Sequence, residues 1–275
     1  MLQSEFSVSL CVYGGDQAQQ FALALESVYS QTVKPNEVVT VVDGPVGEDI
    51  LEVIKTYEQK IPPLKAIHLP QNVGHGEARR ICLKNCSHQL IALMDADDIC
   101  TCDRFEKQLK LFSDSEDLAV VGGQIYEFTQ STEKVVGKRI VPLEDQEIKE
   151  YAKIRCPMNQ VTVMFRKDAV EDAGGYLDWF CEEDYYLWLR MIQKGYRFHN
   201  LPDCLVFVRV GEDMYRRRGG LQYFKSERKL QKYMLGIGFI PRSTYLLNVI
   251  KRLIVQVFLP NRLRGLIFQK IARSN

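Results

Sequence analysis

Four short runs of β-branched and other apolar residues, at 6–13, 37–42, 64–69 and 89–94, alternate with segments whose apolar residues recur at helical spacing. Strand, helix and strand repeated in chain order give a parallel sheet wound with helices. The helical segments between the strands are 17–30, 49–58 and 76–85. The run 89–94 (QLIALM) is nearly all apolar, as a strand covered on both faces has to be. Three of the four strands run into loops rich in Gly or Asp: Gly14-Gly15-Asp16, Asp43-Gly44-Pro45 and Asp95-Ala96-Asp97-Asp98. Ligands of open α/β sheets gather at the carboxyl ends of strands, so the chemistry is expected in those loops.

Beyond Asp103 the pattern predicts a helix at 104–112, strands at 118–128 and 134–141, a helix at 144–152 and a strand at 161–165. This second half reads as mixed rather than parallel. Gly174-Gly175 forms a hinge-like loop before a helix at 183–193, which Gly195 closes at its expected cap. A chain of 275 residues, 46% of them hydrophobic, can bury one substantial core and is too short for three domains. The reading is a catalytic domain over residues 1–227 and a basic, amphipathic helical tail over 228–275.

Charge supports that division. The net charge of +1 gives the whole chain no general reason to bind nucleic acid. No Asp or Glu follows Glu227, whereas ten Lys and Arg residues do. In the tail, Leu246, Val249, Ile250, Leu253, Val257, Leu263, Ile267 and Ile271 recur at helical spacing among those cations. A helix lying in an anionic membrane interface has this pattern, and so does one packed on its own protein or on a second copy. The first residues lack the basic start and apolar run of a secretory signal. No stretch reaches the ~18 apolar residues of a spanning helix, and the longest candidate, 245–259, is broken by Lys251 and Arg252. The eight cysteines form no CxxC pair. These features place the chain in the reducing cytoplasm, with peripheral contact at the inner membrane face as a further expectation.

Three clusters carry the chemistry. In Asp95-Ala96-Asp97-Asp98 the carboxylates repel one another, and a divalent cation relieves that repulsion. A solvated acidic loop ahead of a helix would explain the same residues. A calcium loop of the EF-hand type fails at Ile99 and Cys100, where an oxygen ligand and a glycine belong. In Asn72-Val73-Gly74-His75-Gly76-Glu77-Ala78-Arg79-Arg80, the glycines let backbone approach a ligand, and Arg79 is within reach of a phosphate. His75 and Arg80 read as solvated. In Cys181-Glu182-Glu183-Asp184, acids at a helix N-terminus are favoured by capping and the helix dipole alone. The functional reading makes one of them a general base.

In this order the clusters resemble the family 2 glycosyltransferases of GT-A fold, from about Phe6 to about Gly211. Val12-Tyr13 and Val41-Val42-Asp43-Gly44 begin the series. Asn72, Gly74, Ala78 and Arg79 follow, then Met94-Asp95-Ala96-Asp97-Asp98, Asn159-Gln160, Val163 to Arg166, Gly174-Gly175-Tyr176, and Glu183-Asp184 with Leu187-Trp188. The resemblance implies an inverting, metal-dependent transferase that moves a sugar from a UDP or dTDP donor to a glycan or lipid-linked acceptor in cell-surface glycan assembly. It implies that Tyr13 packs on the nucleobase, that Asp43 bonds its edge and that Arg79 helps hold ribose or phosphate. Asp95 would face the ribose, and Asp97 would hold Mn or Mg on the diphosphate. Asp184 would be the base, with Glu183 beside it. Where many members supply a late metal-binding His, this chain has Val208-Arg209-Val210-Gly211-Glu212-Asp213, and Gln160 stands where a His is frequent. A silent nucleotide-sugar binding module is the alternative from outside catalysis. A sugar nucleotidyltransferase would need a basic glycine loop after the first strand, and Gly14-Gly15-Asp16-Gln17 has no Lys or Arg.

Overall fold

The structure is a computed structural model that describes residues 5–211 and 219–259. The parallel half is built from β1 (Phe6–Tyr13), α1 (Ala18–Tyr29), β2 (Glu37–Asp43), α2 (Glu48–Glu58), β3 (Leu64–His68), α3 (His75–Asn85) and β4 (Leu90–Asp95). β1 is central, parallel to β2 on one side and to β4 on the other, and β3 continues the parallel order beyond β2. The remaining elements are β5 (Ile99–Cys100), α4 (Arg104–Asp114), β6 (Leu118–Phe128), β7 (Val135–Arg139), α5 (Asp145–Tyr151), β8 (Met164–Arg166), α6 (Lys167–Asp172), α7 (Glu183–Gln193) and β9 (Arg197–Arg209). The strands form one sheet in the order β3-β2-β1-β4-β8-β6-β9-β5, with β7 paired to β6. β8 runs antiparallel to β4 and β6, which joins the parallel half to the mixed half. This is the expected α/β class. Two core layers flank the sheet: one under α1, α2 and α4 holds Phe6, Phe21 and Phe105, and the other under α3 and α7 holds Phe165, Trp188 and Phe198.

The second half departs from expectation in two places. The predicted strand at 161–165 divides into a 3-10 turn (Gln160–Thr162) and β8. The Thr162 hydroxyl donates to the Asn159 carbonyl at 2.7 Å and accepts the Gly123 N–H at 3.0 Å, a local bond that competes with the ladder. β9 was not anticipated. Pro202 and Asp203 interrupt its sequence, and its register against β6 shifts at several points, so no alternation marks it.

Position 227 falls inside α8 (Leu221–Gly236), and α9 (Arg242–Leu253) packs beside that helix. Leu230, Met234 and Ile240 are buried in the same core layer as Trp188. Asn248 of α9 donates to the Gln231 side chain and to the Lys153 carbonyl, both at 2.9 Å. Loss of acidic residues after Glu227 reported a change of surface charge, and burial ignores it. No helix among the described residues is long and apolar enough to cross a membrane. Leu263, Ile267 and Ile271 lie outside the described residues.

Candidate active site

Strand register assembles the nucleotide end. Tyr13 at the end of β1 stands opposite Asp43 of β2, and Cys11 stands opposite Asp95 of β4, so three strand ends present Tyr13, Asp43 and Asp95 side by side. Tyr13 leaves 45% of its surface open. A Cβ on Gly15 would lie 2.5 Å from the Tyr13 hydroxyl, so only glycine lets this ring lie over the turn. Asp43 is buried, and its two oxygens accept the N–H groups of Val73 at 2.7 Å and Gly74 at 3.2 Å. Those bonds fix the turn into α3, where Gly74 takes a φ of +89°. Each carboxylate oxygen has a second lone pair, so the same side chain retains capacity for a base edge.

Arg79 lies deeper than its sequence reading implied. It has no exposed surface, and its guanidinium donates to the carbonyls of Ser9 and Met94, at 3.1 Å each, and to Asp95. The helix thereby clamps β1 to β4 and orients Asp95, whose side chain remains 35% open. His75 is exposed, as its surface reading has it, and it also lines a cavity at the start of α3 and accepts the Arg79 Nε–H at 3.4 Å. Crowding by the surrounding protein, and then the adjacent guanidinium, push its imidazole down to about 4, so it is neutral at pH 7.

The acidic loop divides its labour. Asp98 turns inward and accepts the Arg209 backbone N–H at 2.8 Å, and burial, then Asp97 and Asp95, raise its carboxyl well above the usual range. Arg209 also donates to the Asp97 carbonyl at 3.2 Å, so β9 braces the loop from behind. Asp95 and Asp97 remain partly open. Their oxygens suit a hard divalent cation, although no group of three His, Cys, Asp or Glu that could hold a metal occurs among the described residues. Magnesium-type ions that bind substrate phosphates typically take only one or two protein carboxylates, so the donor set fits an ion shared with a diphosphate.

A cavity of about 410 Å³ adjoins this end, with His75, Glu183 and Asp184 in its lining. Gly76 at the start of α3 lies against Glu183, whose Cβ and Cγ would sit 3.5 Å from an added Cβ. Burial, then Asp184, raise the Glu183 carboxyl to about 7. Glu182 occupies the N-cap of α7 without a side-chain capping bond, whereas Asp184 in the first turn accepts the Tyr185 N–H at 2.7 Å, so the helix start accounts for part of this cluster. Burial and then Glu227 push the Glu182 carboxyl well up, with Tyr223 hydrogen-bonded to it. Cys181, just before, has a φ of +58° and is the one non-glycine residue with positive φ among those described. Such strain persists where surrounding contacts enforce it. Here Ser226 of α8 donates to the Phe180 carbonyl at 2.6 Å, and the Lys229 ammonium sits 4.1 Å from the Trp179 ring. Arg190 of α7 ties down the Gly174-Gly175 turn by donating to the carbonyls of Ala173 and Gly175.

Residues 7–173 match the family described as Glycosyl transferase family 2. The chain belongs to that family. This glycosyltransferase is 38% identical, over 88% of its length and 91% of the relative's, to the amylovoran biosynthesis glycosyltransferase AmsE of Erwinia amylovora. It is 32% identical, over 98% and 97%, to an Escherichia coli protein described as UDP-Gal:alpha-D-GlcNAc-diphosphoundecaprenol beta-1,3-galactosyltransferase. Among solved structures, S. aureus TarS with UDP-GlcNAc superposes with a TM-score of 0.65 at 18% identity, covering 97% of this chain and 76% of that one, which shows the GT-A fold. The sequence motifs of this chain located Tyr13, Asp43, Arg79, Asp95, Asp97, Glu183 and Asp184, and the fold collects them at adjoining strand ends and helix starts. They did not locate Arg139, Arg155, Tyr223, Glu227 or Arg252, which line the same cavity from separate elements. The buried polar pairing of Arg252 with Glu227, visible once α8 and α9 are packed, marks that wall.

Proposed function

We propose that the protein transfers a sugar from a UDP or dTDP donor, with inversion and with Mn or Mg, to a hydroxyl of a lipid-linked glycan. The observation that carries this reading is the junction of the nucleotide end with the acid-lined cavity at His75 and Glu183. A UDP sugar is the donor named for the E. coli relative, and UDP-GlcNAc is bound in the TarS structure. The E. coli relative's acceptor is a diphosphoundecaprenol-linked sugar.

In this reading Tyr13 packs on the base, and the remaining lone pairs of Asp43 meet its edge. Asp95, oriented by Arg79, faces the ribose. Arg79 therefore serves the nucleotide through Asp95 rather than by reaching a phosphate itself. Asp97 would hold the cation, which when bound offsets charge on the leaving diphosphate. Asp184 removes the acceptor proton as the sugar gains oxocarbenium character, and a single in-line displacement inverts the anomeric centre. A second reading gives that proton to Glu183. Its favouring observation is a carboxyl raised to about 7, close to the pH at which a base works best. Peripheral membrane contact through α9 completes the proposal, because Leu246, Leu247 and Ile250 form an exposed apolar face that Ile254 just beyond the helix extends.

A panel of nucleotide sugars with Mn, followed for release of UDP or dTDP with and without a lipid-linked acceptor, tests the function. Nucleotide release that rises on adding acceptor is the expected result. Binding without turnover of any donor would leave the silent binding module as the better description.

A further inference from the structure

Three guanidinium groups from distant parts of the chain, those of Arg139, Arg155 and Arg252, line the cavity that holds the acid pair. Two of them are committed. Arg139 at the end of β7 donates to the carbonyls of Cys156 at 2.7 Å and Met158 at 3.4 Å. Arg252 of α9 pairs with Glu227 and donates to the Ile154 carbonyl at 2.8 Å. Arg155 sits between those contacts, half-buried, and its guanidinium has no hydrogen-bond or ion-pair partner among the described residues.

The backbone around Arg155 is held from every side. The Ala152 carbonyl accepts the Tyr185 hydroxyl of α7 at 2.5 Å, the Lys153 carbonyl accepts Asn248 of α9, and Arg139 and Arg252 take the carbonyls on either flank. Side chains from α7, β7 and α9 thus fix a short loop so that one cationic side chain meets the cavity. A partly buried charge without a partner costs desolvation, and an anionic ligand returns that cost with interest in specificity, since a guanidinium grips phosphate through two parallel bonds. The donor's diphosphate does not account for Arg155, because the residues that would hold it, Asp95 and Asp97, are not part of this cavity's lining.

We infer that Arg155 is the acceptor's diphosphate contact: the cavity binds a sugar joined through a diphosphate to a lipid, with the sugar hydroxyl at Asp184 and the phosphate at Arg155. The exposed Ile154, next to it in the chain, supplies apolar surface where a lipid chain would leave. This inference rests on the glycosyltransferase reading above and adds the residue that selects the acceptor class.

Farnesyl diphosphate serves as the probe, titrated calorimetrically into the full chain already saturated with UDP and Mn, so that the donor site is filled. Farnesol and inorganic pyrophosphate are the companion titrants. The expected result is that farnesyl diphosphate binds at least tenfold more tightly than either companion, that Arg155→Gln removes at least tenfold of that affinity, and that Arg155→Lys removes less. Arg197→Gln, which removes an equal charge from an exposed pair with Asp117, should bind as the parent does. Equal affinity in the Arg155→Gln and parent proteins overturns the inference, as does farnesol or pyrophosphate binding as tightly as farnesyl diphosphate. If UDP itself fails to bind, the glycosyltransferase reading fails first, and the two failures are thereby told apart. The thermal midpoint of each variant, and the graded behaviour of Arg155→Lys, separate a lost contact from a lost fold.

Discussion

Arg79 and Asp95 form an ion pair closed on one side only: the guanidinium is wholly buried, while the carboxylate keeps a third of its side-chain surface open toward the nucleotide end. The open partner faces ligand, and the closed partner sets where it points. Removing the carboxylate therefore does more harm than its exposure suggests, because it strands a buried cation. Asp95→Asn, which keeps an acceptor for Arg79 but removes the charge, should destabilise the fold by about 1–3 kcal/mol. Asp97→Asn, on a half-open loop, should cost under about 0.5 kcal/mol. Urea titrations of the two variants check this, and equal losses would mean that the pair carries no structural weight.

The proposed metal dependence is tested at the loop that Asp97 occupies. UDP affinity should fall sharply when EDTA replaces Mn, and Asp97→Ala should abolish the difference between the two conditions. Calorimetry with identical affinities in EDTA and Mn would sink the metal proposal.

The acid pair gives a sharper contrast. Asn caps a helix about as well as Asp, so Asp184→Asn isolates the proton acceptor from any capping role. Turnover should fall by roughly 10²–10⁴ with donor binding intact. Glu183→Gln should lose less. A dead Glu183→Gln beside a normal Asp184→Asn would assign the base to Glu183.

Glu183 also makes a statement about pH. Its carboxyl is raised to about 7 in the folded chain from an ordinary value of 4.5. Between those values the folded state holds a proton that the unfolded state has released, so this group's contribution to stability declines as pH rises through that window. Deprotonation exposes negative charge beside Asp184, and activity that needs both carboxylates ionised should rise through about pH 7. Glu183→Gln should flatten the stability slope between pH 5 and about 7. An unchanged slope in chemical denaturation would contradict the environment described for Glu183.

Membrane contact is testable without truncation, which matters because deleting residues 243–275 would remove Asn248 and Arg252 from the fold. Leu246 and Ile250 are 57% and 53% exposed on α9. Leu246→Asp with Ile250→Asp should keep the melting temperature and abolish sedimentation with anionic liposomes. Undiminished sedimentation of that double variant would remove α9 as the contact.

The sequence made the nucleotide end legible because strand periodicity and loop composition are local: Tyr13, Asp43 and Asp95 each end an apolar run. The acid pair was legible as a motif, though not its neighbours' roles, since nothing near Glu182 in sequence says that it turns toward Glu227. The 3-10 turn at Gln160–Thr162 was missed because Thr162 satisfies backbone through its hydroxyl, which periodicity does not register. Arg155 and Arg252 escaped for a different reason. Their importance is created by a meeting of α9 with the loop after α5, and a charged residue in a loop or on a helix ordinarily reads as solvated.

The loop that presents Arg155 has its carbonyls held by α7, β7 and α9, whereas Tyr13, Asp43 and Asp95 end β1, β2 and β4, with β9 bracing the acidic loop beside them. On the proposed reading, recognition of the two substrates is written in largely separate stretches of chain. Descendants of such a protein can exchange their final helices, or vary the residues after α5, and inherit a working donor site while acquiring a new acceptor.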